Sequence, residues 1–137
     1  MEENENKLAI FQSEGRQAYT SIVTDTPEEK KKLFNALENC DVLLNDCVGQ
    51  EISIKDIYIE KRNVTDEETG EIKPKFRTIL FDVKGQTYAT GSYGIYNVIA
   101  KIVGIYGEPS TWKEPIKVQV AKRPIGNGKQ SLTLKLL

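Results

Sequence analysis

The stretch Glu51–Val64, EISIKDIYIEKRNV, decides the fold. Ile52 and Ile54 share one parity and Ile57 and Ile59 the other. Successive side chains of a strand alternate faces, so a regular strand would turn one of those pairs into water. One extra residue near Lys55 and Asp56, a β-bulge, returns both pairs to the same side and bends the strand. A long bent strand is how a small barrel turns its corners.

The strands after it follow the same logic. TDEETGEIKP is a polar hairpin tip with Gly70 as its turn residue, and KFRTILFDV (75–83) forms the return strand. Lys84-Gly85 turns into a third strand, QTYAT. From about Gly94 to Tyr106 the residues Ile95, Val98, Ile99, Ile102, Val103 and Tyr106 recur at helical spacing, and Gly107 ends the helix. Ile116, Val118 and Val120 then alternate in one strand, Asn127-Gly128 turns, and Leu132, Leu134 and Leu136 alternate in the last. Strand, strand, strand, helix, strand, strand is the layout of the five-stranded Greek-key barrel called the OB-fold. The expected class is all-β with added helices.

Upstream, Gln17–Val23 (QAYTSIV) alternates as a strand. Thr26-Pro27-Glu28-Glu29 supplies a cap hydroxyl, a first-turn proline and the glutamate of a capping box, predicting a helix to about Glu38. Its apolar face would hold Leu33, Phe34 and Leu37, leaving Lys30, Lys31 and Lys32 in solvent. Asp41–Val48 is ambiguous. The expected organisation is one domain: a disordered segment 1–7, a strand-helix extension over 8–48 packed on the barrel, and the barrel over 49–137.

Composition excludes several classes of function. The 137 residues include no histidine, so imidazole general-base schemes and most zinc sites have no side chain to use. Cys40 and Cys47 read as two reduced, part-buried cysteines in preference to a disulfide. Asp82, Glu108 and Glu114 could hold magnesium for a nuclease, but they lie scattered over a strand and loops with no paired spacing. The expectation is a non-enzymatic protein without cofactor or metal. With no long apolar run and no signal-like N-terminus, it is also expected to be soluble, cytoplasmic and independent of membranes.

A net charge of −1 conceals an asymmetry. Up to Glu71 there are 17 acids against 8 bases, and from Ile72 onward 3 acids against 11 bases. A basic second half suits a polyanion, because each neutralised phosphate releases counterions.

Aromatic rings add what charge cannot, since a base stacked on a ring is worth about 1–3 kcal/mol by substitution. With Ile57 and Ile59 inward, Tyr58 is expected outward, and Tyr88, alternating with Ala89, outward as well. Tyr96 lies off its helix's apolar stripe, Tyr93 and Trp112 lie in loops, and Phe76 stands among Lys73, Lys75 and Arg77. For Trp112 a plug over the barrel bottom competes with stacking, whereas Phe81 belongs in the core. The connection ATGSYGIY (89–96) admits two readings that are compatible: Gly91 and Gly94 permit a tight turn capped by Ser92, and the amides of the helix start attract an anion.

VGQEISIKDIYIE, TYATGSYGIYNVIAKIVGIYGEPSTW and the closing SLTLKLL together resemble the small single-stranded DNA-binding proteins of bacteriophages and related elements of Gram-positive bacteria. The likeness covers roughly Val48 to Leu137. It implies coating of exposed single strands during replication or recombination, in the host cytoplasm if the protein is phage-encoded, with replication or recombination proteins as partners. Bacterial proteins of this function end in an acidic tail, where this chain has an apolar strand, so the acidic MEENEN is the segment expected to recruit partners.

The expected site therefore has Tyr58, Phe76 and Tyr88 as stacking platforms on the first three barrel strands, joined by Tyr93, Tyr96 and Trp112. Arg62, Lys73, Lys75, Arg77, Lys117, Arg123 and Lys129 would track phosphates, with Ser92 at the helix start as a further anion contact. The rival expectation is an OB-type protein-interaction module with no nucleic-acid role. An uncovered barrel edge and exposed rings point to self-association in either case.

Overall fold

The computed structural model describes residues 16–137, so the expected disorder of residues 1–7 and the first part of the extension lie outside the described residues. In chain order the elements are β1 (Arg16–Thr20), α1 (Pro27–Glu38), β2 (Val42–Leu43), a 3₁₀ turn (Leu44–Cys47) and β3 (Glu51–Thr65). Then come β4 (Ile72–Asp82), β5 (Thr87–Thr90), α2 (Tyr93–Tyr106), a second 3₁₀ turn (Pro109–Thr111), β6 (Ile116–Gly126) and β7 (Lys129–Leu136).

The bulge falls where the isoleucine parity requires it. Ile54 pairs with Asp82 and Asp56 with Phe81, which leaves Lys55 as the extra residue. Ile52, Ile54 and Ile57 are consequently all buried in one cluster. The bend also divides β3 between two neighbours. Glu51–Ile54 pairs with β6, whereas Tyr58–Arg62 pairs with β1, and β4 runs along the other edge from Ile54 onward.

The sheet runs β2-β5-β4-β3-β6-β7, with β1 added beside β3. It curls into an OB-type half-barrel, and α2 spans the open side, packing on both β4 and β7. Inside lie Leu44, Leu80, Ile95, Ile99, Val118, Val120, Leu132 and Leu134. Outside, a second core forms where α1 lies on the sheet: Leu33 and Ala36 cover Tyr58, Ile79, Phe81 and Ala89. The helix thus buries Leu33 and Ala36, with Leu37 half-buried, while Phe34, expected on the apolar face, is exposed.

Local chemistry sets the ends of these elements. Thr26 and Glu29 exchange both bonds of the capping box, at 3.1 and 3.0 Å. The residues expected to continue β1 to Val23 instead leave the strand, because Ser21 turns to Asp56 beside the bulge: its hydroxyl donates to Asp56 Oδ1 at 2.9 Å and accepts from Ile57 N at 3.0 Å. Asn127 and Gly128 both take positive φ, 54° and 72°, as a tight hairpin turn needs. The ambiguous stretch after Asp41 becomes β2, parallel to β5, and the 3₁₀ turn. Cys40 and Cys47 are both free, and their thiols donate to the carbonyls of Val42 and Leu43. No helix among the described residues is long and apolar enough to cross a membrane.

Gly94 shows why the start of α2 is glycine-rich. A Cβ there would sit 2.5 Å from Ser131 Oγ and 2.6 Å from the Leu132 carbonyl, so the helix start rests directly on the β7 backbone. Gly91 is less constrained, its Cβ position meeting only the Phe76 carbonyl at 3.5 Å. Gly94→Ala is expected to destabilise the fold by about 1–3 kcal/mol, as overpacking does. Gly91→Ala should stay within about 0.5 kcal/mol of the parent. Urea denaturation of both variants checks this, and equal midpoints would contradict the close approach.

Candidate nucleic-acid interface

Strand register sorts the side chains of the β3–β4 hairpin onto two faces. Residues directly opposite in an antiparallel pair share a face. Ile57/Leu80, Ile59/Thr78 and Lys61/Phe76 follow one another on the barrel side, and Tyr58/Ile79, Glu60/Arg77 and Arg62/Lys75 on the outer side. Phe76 therefore emerges at the barrel mouth with Lys61 opposite it, and the cations around it in sequence lie on the other face.

At that mouth Phe76 meets the first turn of α2. Its ring centroid is 4.9 Å from that of Tyr93 and 4.7 Å from that of Tyr96, with interplanar angles of 56° and 49°. These are tilted contacts within the favourable range for aromatic pairs. Tyr93 remains 59 % exposed, while Phe76 and Tyr96 are half-buried. Ser92 caps the helix by accepting from Ile95 N at 3.4 Å, and its own N–H donates to Thr90 Oγ1 at 3.1 Å. The cap starts the helix at the mouth, where Tyr93 and Tyr96 meet Phe76.

On the outer side a groove of about 670 Å³ lies between the end of α1 and the hairpin. Arg62, Lys75 and Arg77 line it together with Phe76 and Gly91, and Glu38 and Glu60 line it too. The Arg77 guanidinium donates to the Leu37 carbonyl near the C-terminus of α1, where a cation is favoured by the helix dipole. Arg77 thus joins the extension to the groove.

Two expected stacking platforms are not available. Tyr58 does point away from the barrel interior, but α1 covers that face: the ring is 1 % exposed and its hydroxyl donates to Glu60 Oε1 at 2.6 Å. Tyr88 faces the opposite way from the expectation. It pairs with Leu80 and packs in the barrel, 6 % exposed, while Ala89 pairs with Ile79 under α1. The hydroxyl of Tyr88 reaches Asp82 Oδ2 at 3.0 Å and Gln86 Oε1 at 2.9 Å. A long amphipathic side chain can fill the interior and still end on polar groups at the rim.

Other expected residues lie elsewhere. Trp112 follows α2 at the end opposite Tyr93, and fourteen helical residues span roughly 20 Å. It is part-buried against the barrel core and donates its indole N–H to the Gly107 carbonyl at 2.9 Å, which is the plug reading. Lys117 lines a groove with Trp112 at that end and pairs with Glu51 at 3.2 Å. Lys73 is exposed near the hairpin tip, 3.8 Å from Glu71. Arg123 and Lys129 are exposed on the β6–β7 hairpin, Arg123 in register with Ser131, which touches the start of α2. Lys61 was missed, although its parity with Ile57 and Ile59 was enough to place it beside Phe76.

The arrangement thus offers an open aromatic cluster at the barrel mouth, with cations on one flank and the capped start of α2 on another. Among the described residues no group of three or more metal-ligating side chains comes together.

Burial gives Tyr88 a titration of its own. Its phenol is pushed up from 10 to about 12, first by desolvation, then by the hydrogen bond and charge of Asp82. The fold therefore favours the protonated ring: this contribution is complete below pH about 10 and is lost as pH rises through about 12. Urea midpoints are expected to fall over that window, and less steeply in Tyr88→Phe, which has no proton to lose. Tyr19, also raised, chiefly by burial, keeps part of the slope. Equal slopes in the two proteins would remove Tyr88 as a cause.

A family model described as Phage Single-stranded DNA-binding protein matches residues 13–137 of the chain. No curated protein and no solved structure matches it significantly.

Proposed function

The chain belongs to the phage single-stranded DNA-binding protein family, and from that premise we propose that it coats exposed strands during replication or recombination, holding bases on the cluster of Phe76, Tyr93 and Tyr96. The family is a non-enzymatic one that binds single-stranded DNA. The observation that carries the finer reading is that these three rings meet at the barrel mouth, next to a groove lined by Arg62, Lys75 and Arg77.

Each part has a distinct task. Tyr93, the most exposed ring of the three, takes the first base, and Phe76 and Tyr96 back it and receive the next. Lys61 beside Phe76, with Arg62 and Lys75 on the outer face, contacts phosphates before and after the stacked bases. Arg77, already engaged by α1, contributes through the field of its charge. Ser92 and the neighbouring amides supply one neutral phosphate contact, and Arg123 and Lys129 extend the path along the second hairpin. Stacking accepts every base because every base has a π-face, so affinity is nearly independent of sequence.

Tyr93→Ala is expected to weaken binding to an unstructured oligonucleotide by about 1–3 kcal/mol while leaving the urea midpoint unchanged. Tyr58→Ala should instead lose about 3–5 kcal/mol of stability. Unaltered affinity in Tyr93→Ala would remove the cluster from the site. For the five cationic contacts, Lys61, Arg62, Lys75, Arg123 and Lys129, log affinity should fall with log salt at a slope of roughly −3 to −4. Fluorescence titration at several salt concentrations measures that slope, and a value near zero would reject the phosphate assignments.

A further inference from the structure

The outer face of α2 carries side chains that the contacts described so far leave unused. Ile95, Ile99 and Ile102 are buried against the barrel, and the helix holds no acid and a single base, Lys101. At about 100° per residue, Tyr96 lies roughly 60° to one side of Tyr93, whereas Asn97 and Gly94 lie roughly 40° and 100° to the other. Phe76 touches both Tyr93 and Tyr96 and so occupies the first side. Gly94 rests against Ser131 and the Leu132 carbonyl, so the second side faces β7. Asn97 therefore stands between the exposed ring of Tyr93 and the strand in which Ser131 pairs with Arg123.

Helical side chains lean toward the N-terminus, so Asn97 covers the surface beside the turn that holds Tyr93. It is half-buried, and its amide has no hydrogen-bond partner among the described residues. Lys101, one turn further on, is exposed and forms no ion pair among them. The helix needs neither residue: Ser92 caps it, its isoleucines anchor it, and asparagine is a poorer helix former than alanine. We propose that Asn97 holds the edge of the base stacked on Tyr93 and that Lys101 contacts a phosphate beside it, which makes the β7 flank of α2 part of the DNA path. The inference rests on the reading of the chain as a single-stranded DNA-binding protein with Tyr93 as a stacking ring.

An asparagine amide presents a donor and an acceptor side by side. The unpaired edge of each base offers both as well: N3–H beside O4 in thymine, the N4 amino group beside N3 in cytosine. A half turn of the amide matches either order, so the contact accepts every base and still fixes how the base is rotated on the ring. Stacking alone leaves that rotation free. A carboxylate in the same place would lose the tolerance, because it only accepts. Cytosine still offers it an amino group, whereas the one N–H of thymine lies between two carbonyl oxygens that repel it.

The test measures affinity for oligo(dT) and oligo(dC) of equal length by fluorescence titration at several salt concentrations. Asn97→Asp is expected to lower affinity for oligo(dT) about tenfold more than for oligo(dC). The added charge repels the phosphates of both oligonucleotides alike and cancels from that comparison. Asn97→Ala should weaken binding to both about equally, with the salt slope and the urea midpoint unaltered. Lys101→Ala should reduce the slope by about 0.7, one contact on a single strand. If Asn97→Asp leaves the ratio of the two affinities as it is in the parent, the base-edge contact is overturned, whether both affinities fall together or neither changes. Undiminished affinity in Asn97→Ala overturns it too. Where Tyr93→Ala still weakens binding, either result removes this inference alone. A parent chain that binds neither oligonucleotide overturns it together with the proposed function.

Discussion

The extra residue at Lys55 is the constraint on which the rest of the molecule depends. Without it, Ile57 would leave the cluster that holds Ile52 and Ile54, and β3 would run straight past β6. With it, one strand takes β6 as its neighbour before the bend and β1 after it. The bend also opens the hydrogen bonds around Asp56 to a side chain from outside the sheet, and Ser21 occupies them. Ser21 then ends β1 and starts the chain toward α1. The barrel and the extension therefore share one local irregularity, and the cost of the bulge is offset by packing on both faces of the sheet.

Packing on both faces decides what is left for a ligand. In an OB-fold the face of the second and third barrel strands is a usual site for oligonucleotides. Here that face is partly taken: Tyr58, Ile79, Phe81 and Ala89 form a second core under α1. Burying a large aromatic side chain against a helix is worth about 1.5–3 kcal/mol, comparable with stacking one base. A ring committed to the fold in this way is lost to the ligand. What remains open is the mouth, where α2 starts and the hairpin passes beyond the end of α1. Phe76, Tyr93 and Tyr96 occupy that opening.

Elements whose signals are local were legible in the sequence. The capping box, the bulge, the turns at Gly70, Gly85 and Asn127-Gly128, and the span of α2 each depend on residues within a few positions of one another. The positions of the aromatic rings were legible only where nothing distant intervened. Phe76, Tyr93 and Tyr96 stand near the mouth because their own strand and helix put them there. Tyr58 was read to the right side of the strand and to the wrong environment, since no pattern within β3 reports that a helix from residues 27–38 will lie across it. Tyr88 failed for a different reason. In the four-residue strand TYAT every side chain is buried, so alternation carries no information there, and only the pairing with Leu80 reveals its face.

Charge asymmetry along the chain was also a poor guide to charge asymmetry in space. The change of sign falls at Glu71, in the tip of a hairpin, so the acidic half and the basic half fold against each other. Glu60 lies opposite Arg77 across the sheet, and Glu38 and Glu60 line the same groove as Arg62, Lys75 and Arg77. At short range the opposed charges offset one another, and no continuous basic trough results. Even at the tip of the β3–β4 hairpin Lys73 lies 3.8 Å from Glu71. The groove therefore offers a few isolated cations beside the rings. On the proposed reading, a strand entering this groove would meet a few fixed points of attraction, with the aromatic cluster beside them to hold the bases.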